Sequence, residues 1–295
     1  MDINLIIIQF FNAIFYASIL FLIASGLSLI YGIMKVLNLA HGALYMFGAY
    51  IGYTVVIILL GISWYSMVLA YLAALGILFV IGIAMERVFI KRLYGKEEEL
   101  MLLLTFSFIL IFDDVVRAIW GAQYRAFPII PGGTLQLGNY QLPLYFIFTT
   151  ILALVCGGLL WWFFNKTVIG KQMRAAAHSI ETAGAFGINT DKVFYLAFGL
   201  GAALSGLAGS VAVPLYTASP GMGSDALVLS FAVIVIGGMG SILGALVGAL
   251  IVGFSRVFMA FVYPALEIAL IYIIMVAILL IKPVGLFGRE EVERR

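Results

Sequence analysis

Charge is scarce in this sequence. Only 10% of its 295 residues are Asp, Glu, Lys or Arg, against about 25% in an ordinary soluble domain. Apolar residues make up 64% of the chain and come in long blocks, and the mean hydropathy is +1.18. A soluble fold is excluded, and a polytopic membrane protein remains. Cysteine is nearly missing too: Cys156 stands alone inside an apolar block, which excludes an intrachain disulfide and a cysteine metal cluster. Two histidines, His41 and His178, are too few and too isolated for a metal site, so no metal is expected. No GxxxxGK[ST] run occurs, so the chain has no phosphate-binding loop, and any ATP that drives it is hydrolysed by another chain. Nor is there a Ser/His/Asp set or a pair of carboxylates with room for water. No catalytic residue and no cofactor of its own is therefore expected. The net charge of +2 says little about partners, and nucleic acid is not among those expected.

What is present is a series of apolar blocks. A bilayer core of ~30 Å needs roughly 20 apolar residues per helix, which leaves room for eight or nine spans. The loops are too short for a second domain, so residues 1–295 read as one transmembrane unit. The first span covers Ile6–Tyr31; MDINLIII lacks the basic flank of a cleavable signal and is read as its start. A second block, Val36–Leu60, opens with VLNLAHGALYMFGAY, where Asn38, His41 and Gly42 interrupt its first turns. Further spans are expected at Met67–Phe89, Leu100–Trp120, Leu144–Phe164 and Val193–Val213. The block Ala226–Phe254 is broken by GGMGS at Gly237–Ser241, and a last block runs Phe261–Ile281. The expected fold is an all-α, polytopic transmembrane helical bundle with broken or half helices.

Lysine and arginine concentrate at Arg87–Lys96, Lys166–Arg174 and from Lys282 onward. The positive-inside rule turns these toward the cytoplasm. Alternation then puts the N-terminus and the loops Gly121–Pro143 and Pro214–Asp225 outside. The tail is inside only if Ala226–Phe254 crosses twice, and 29 residues is thin for that, so a half-helix with local thinning is an alternative. Asp113, Asp114 and Arg117 fall near the outer end of the fourth span, where Asp113 and Arg117 can pair at i,i+4. Glu86 and Glu267 lie near span ends, within reach of headgroup water. No charge falls clearly at a midplane, which argues against an ion-coupled carrier and suits a net-neutral solute.

The segment Gly170–Asn189, GKQMRAAAHSIETAGAFGIN, is the most polar long stretch between the first and last apolar blocks. On a helix, Lys171, Arg174, His178 and Glu181 share one face, and Met173, Ala177, Ile180 and Gly184 share the other. It is too polar to cross a bilayer, yet spans flank it. An amphipathic helix in that position lies at the membrane surface, where it either anchors a loop to lipid or presents a polar face to a partner. Elsewhere, the interruptions at Asn38–Gly48 and around Gly237 occupy comparable places in the two halves. Such breaks point to a translocation path, with Asn38, His41, Gly42, Tyr45, Gly237, Gly238, Gly240 and Ser241 as its candidate residues. The plainer reading is tight helix packing, in which His41 satisfies a freed carbonyl.

RAAAHSIETAGAFGIN with its preceding GKQM resembles the cytoplasmic coupling segment of LivH-type branched-chain amino acid ABC permeases. The resemblance extends through VLNLAHGALYMFGAY, VIGGMGSILGALVGAL and KPVGLFGREEVE, in that order and over nearly the whole chain. It implies a permease subunit that pairs with a second, related permease above two ABC ATPase subunits. The ATPases bind the ATP, and an extracytoplasmic binding protein delivers leucine, isoleucine or valine. Arg174, Ala175, Ala183, Gly187 and Ile188 match the coupling motif. Ser179 stands where the family often has an acidic residue, and Lys171 where it often has arginine. With Glu181, these make up the expected coupling set. Helical spans imply an inner or plasma membrane. The resemblance leaves urea or short-chain amides as alternative solutes, and an ion-gradient-driven amino acid carrier is the alternative of a different class.

Overall fold

The computed structural model describes residues 3–59, 61–129, 133–138 and 140–288. Its elements are α1 (Ile3–Met34), α2 (His41–Tyr53), α3 (Trp64–Val88), α4 (Glu98–Trp120), the antiparallel strands β1 (Thr134–Leu137) and β2 (Tyr140–Pro143), α5 (Leu144–Lys166), α6 (Val168–His178), α7 (Ile180–Ala185), α8 (Thr190–Ala212), α9 (Met222–Gly237), α10 (Ile242–Val262) and α11 (Glu267–Ile281). The chain is an all-α polytopic bundle, apart from that small hairpin. Seven helices among the described residues are long and apolar enough to span: α1, α2 with its π-helical extension to Leu59, α3, α5, α8, α10 and α11 with the short turn before it. Eight or nine were expected. Among the remaining helices, α4 has the length but carries Asp113, Asp114 and Arg117, and α9 is apolar but has only 16 residues.

Burial separates a centre from a shell. From Ala13 to Met34 nearly every α1 residue is buried, and α8 is buried along most of its length. A helix that is apolar all round belongs inside, and both pack on each other, with α2, α9 and α10 around them. Helices α3, α4, α5 and α11 leave apolar faces exposed, as a lipid-facing shell must. Small residues set the spacing at the centre: a β-carbon on Gly48 would lie 2.2 Å from the carbonyl oxygen of Gly206 in α8. Backbones approach this closely in membranes because no side chain intervenes.

One end of the bundle gathers most of the basic residues. There Lys91 Nζ bonds Asp191 Oδ2 at 2.5 Å, tying the chain after α3 to the start of α8. Gly32, near the end of α1, sits against Gly240, and the amides of Leu286 and Phe287 donate to Ile236 and Gly237 at 3.0 and 2.8 Å. At the opposite end Arg125 and Ala218 exchange backbone hydrogen bonds of 2.8 and 2.7 Å. The charged run after Gly288 lies outside the described residues.

Several boundaries shift from those expected. Two helices, α9 and α10, meet at the expected glycine break but reach beyond Ala226–Phe254 on both sides, so 37 helical residues occupy what was read as 29. Met222–Asp225, read as loop, form the first turn of α9, while Phe261 and Val262, read as the last span, close α10. Glu86 does not reach headgroup water: it is buried beneath Tyr94, whose hydroxyl donates to it at 2.8 Å. The Asp113–Arg117 pair forms as expected, at 2.8 Å.

Candidate coupling surface and translocation path

Gly170–Asn189 does not form one helix. It is interrupted at Ser179, whose backbone is extended (φ −159°, ψ 116°). The Ser179 hydroxyl accepts a hydrogen bond from the Thr182 amide at 3.2 Å, capping α7 where α6 has just ended. Capping of this kind satisfies a donor that the helix cannot. The break also resets the register. Met173 and Ala176 of α6 are buried, as is Ala183 of α7, whereas Ile180 and Gly184 point outward rather than sharing Met173's face. Gly187, at φ +77°, then ends α7 in the left-handed region that glycine adopts freely. Asn189 caps α8 by accepting from the Lys192 amide at 2.9 Å.

Most of the expected coupling residues come together on one surface at the basic end. Lys171, Arg174, Ala175, Glu181 and Gly187 are exposed, Ser179 and Ile188 are half-buried, and Ala183 is the inward anchor. Arg174 Nη1 donates to Asn165 Oδ1 at 2.5 Å, which ties α6 back to the end of α5. Sequence reading missed the largest apolar group here. Phe186 is 82% exposed and Ile180 47% exposed, side by side with the polar set. A phenylalanine among small residues in a polar loop was the available signal.

The expected path residues fall into two separate groups. Lys35–Ala40 is non-helical and brings the chain from the end of α1 back to mid-bundle, so that α2 begins beside Ile23. By helix rise, Ile23 lies about 16 Å from the end of α1. His41 is fully buried there: its Nε2 donates to the Ile23 carbonyl at 2.9 Å, and its own carbonyl accepts from Ser205 Oγ at 2.8 Å. Asn38 Oδ1 accepts from the Ala40 amide at 3.1 Å, and Tyr45 is buried against α8. Gly42 faces Gly223 at the start of α9, so two helices begin against each other inside the bundle. Gly237, Gly238, Gly240 and Ser241 instead form the turn at the basic end, with Ser241 capping α10 by accepting from the Gly244 amide at 3.0 Å.

A third polar feature escaped sequence reading. Arg256 lies within α10, between the blocks that were read as separate spans. Its guanidinium donates to the Tyr16 hydroxyl, stands 4.8 Å from the centre of the Tyr16 ring, and approaches Glu267 Oε1 at 3.4 Å. Glu267, partly exposed at the start of α11, is thus paired with Arg256. A charge flanked by apolar helix on both sides was its signal, and such groups are functional candidates by default.

The family described as branched-chain amino acid transport system / permease component matches residues 9–279. The high-affinity branched-chain amino acid transport system permease protein LivH of Salmonella typhimurium is 29% identical over 97% of this chain and 96% of its own. BraD of Pseudomonas aeruginosa, another high-affinity permease protein of that description, is 30% identical over 97% of each. A probable branched-chain amino acid transport permease protein LivH of Methanocaldococcus jannaschii is 30% identical over 94% of this chain and 91% of its own.

Proposed function

The chain belongs to the branched-chain amino acid transport permease family, and from that membership we propose that it is the membrane-spanning subunit of an ATP-driven importer of leucine, isoleucine and valine. The basic end faces the cytoplasm by the positive-inside rule, in an inner or plasma membrane. Two ATPase subunits bind the ATP and dock on the α6–α7 surface, a second related permease completes the pore, and a binding protein delivers the amino acid at the opposite end. The chain itself catalyses no reaction.

One observation carries the coupling part of this reading: the exposure of Phe186 and Ile180 on a surface that is rigidly held from behind. Apolar groups left in water beside a polar rim mark contact sites. Met173, Ala176, Ala183 and Ile188 fasten α6 and α7 to α1, α5 and α8. A push on Phe186 therefore moves spans rather than a loose loop. When ATP closes the ATPase dimer, the surface shifts with it and the spans reorient as rigid bodies. Lys171, Arg174, Ser179, Glu181 and Gly187 supply the polar and small contacts around the aromatic anchor.

Phe186→Asp is expected to weaken association with the ATPases about thirtyfold or more, as loss of a central aromatic anchor does, and Arg174→Glu is expected to abolish uptake. Both variants should insert normally, since neither residue is buried. Uptake and co-purification at unsubstituted levels in both variants would remove the α6–α7 surface from the coupling role.

A further inference from the structure

At the end opposite the coupling surface, the bundle opens into a cleft of about 450 Å³ between the start of α1, the start of α5 and the end of α10. This is within the usual range for sites that hold small molecules. Phe15, Phe146 and Leu215 make an apolar wall, Gln9 and Asn12 supply amide groups at the rim, and Tyr216 lines the side. The rings of Phe15 and Phe146 stack at 4.4 Å, and Tyr216 is 6.4 Å from Phe15, so the three rings form one aromatic wall.

The charged groups lie one helical turn deeper. In α1, Tyr16 follows the cleft residue Asn12 by four positions; in α10, Arg256 precedes the cleft residue Ala260 by four. Residues four apart lie on one helix face. Tyr16 and Arg256 therefore continue the two cleft walls downward and meet through their hydrogen bond. Glu267 completes the group from the start of α11. Its 3.4 Å approach to Arg256 is longer than the roughly 2.7–2.9 Å of a tight charged hydrogen bond. The cleft thus has an apolar wall above one positive and one negative group that cancel each other and are loosely joined.

We propose that this cleft is where a zwitterionic α-amino acid with an apolar side chain is admitted to the permease. The inference rests on the import reading above and names the recognition chemistry at its outer mouth. The carboxylate of the solute takes the place of Glu267 on Arg256, and its ammonium pairs with the Glu267 so released. The branched side chain lies against Phe15, Phe146 and Leu215. A solute with one extra charge of either sign leaves that charge without a partner in a half-buried site, which disfavours it. An amide lacking the carboxylate leaves Arg256 unanswered.

The test places a reporter thiol in the cleft. The chain carrying Cys156→Ala and Ala260→Cys is assembled with its partner subunits in phosphatidylcholine vesicles, and labelled from the cleft side with a membrane-impermeant maleimide. Excess L-leucine is expected to slow labelling about tenfold at roughly ten times its dissociation constant, because the free fraction falls as 1/(1 + [L]/Kd). Leucinamide, glutamate and lysine are expected to change it less than about twofold under the same relation. Adding Arg256→Gln is expected to keep the unprotected labelling rate and remove the leucine effect. The inference is overturned if leucine does not protect, if leucinamide protects equally, or if Arg256→Gln keeps the protection. It is also overturned if protection follows added phosphatidylethanolamine rather than leucine, which would make the site one for a zwitterionic lipid headgroup. The leucine–leucinamide comparison needs no charge variant, so it decides the matter even if Arg256→Gln does not insert. ATP-driven leucine uptake by the same vesicles separates the two readings. Uptake without protection sinks only the cleft, whereas absent uptake sinks the import reading.

Discussion

At Gly42 a β-carbon would meet the Gly223 carbonyl oxygen at 2.0 Å and the Leu227 β-carbon at 2.8 Å. Neither can retreat, because α2 and α9 both start at this point and both are buried. Gly42→Ala is therefore expected to destabilise the bundle by about 1–3 kcal/mol, the usual range for overpacking, and to lower its melting temperature in detergent. Gly76→Ala, where nothing lies within 4 Å, is the control and is expected to stay within about 1 kcal/mol of the unsubstituted chain. Equal melting temperatures for the two variants would contradict the close contact. Asn38, His41 and Gly42 were legible as an interruption, since polar and flexible residues do not belong in the first turns of a span. That His41 satisfies the Ile23 carbonyl could not be read, because the partner is 18 positions away. Arg256 was missed for a different reason. Ending one apolar block at Phe254 and starting the next at Phe261 hides a charge that a single helix carries.

Among elements, the break at Ser179 has the clearest consequence. A continuous helix from Gly170 would have placed Ile180 and Gly184 on the Met173 face; the extended residue and its cap turn α7 so that Ala183 packs inward instead. Ser179→Ala is expected to destabilise α7 by about 1 kcal/mol, as loss of a serine cap does, with about fivefold faster hydrogen exchange in residues 180–185 and little change in α6. Unchanged exchange there would mean that the cap is not what holds α7. The amphipathic character of the segment was legible, but the break was not: a serine inside a helical pattern reads as an ordinary polar position until its backbone is seen. The GGMGS break was read correctly because two glycines with positive φ, Gly238 and Gly240, cannot be disguised by apolar neighbours. The ends of α9 and α10 were not, because Met222–Asp225 has turn composition and yet begins a helix.

The molecule as a whole joins two surfaces at opposite ends through a centre of packed helices. α1 runs from the cleft, at Gln9 and Asn12, to the basic end, where Gly32 meets Gly240 and α6 packs beside it. α8 begins at Thr190, directly after the proposed coupling surface, and leads into the loop that supplies Leu215 and Tyr216 to the cleft. In the proposed mechanism, motion imposed on α6 and α7 has two continuous helices along which to reach the cleft. The membrane class and most spans were legible from the long apolar blocks, since few other folds tolerate so little charge. The central position of α1 and α8 was not, because hydropathy cannot separate a buried helix from a lipid-facing one. The most direct test of the account is ATP-dependent uptake of labelled leucine into vesicles holding this chain with its ATPases, second permease and binding protein. The account predicts uptake that needs ATP and binding protein, that excess isoleucine or valine competes with, and that urea leaves unchanged. Uptake by this chain alone under an imposed ion gradient, without ATP, would contradict it.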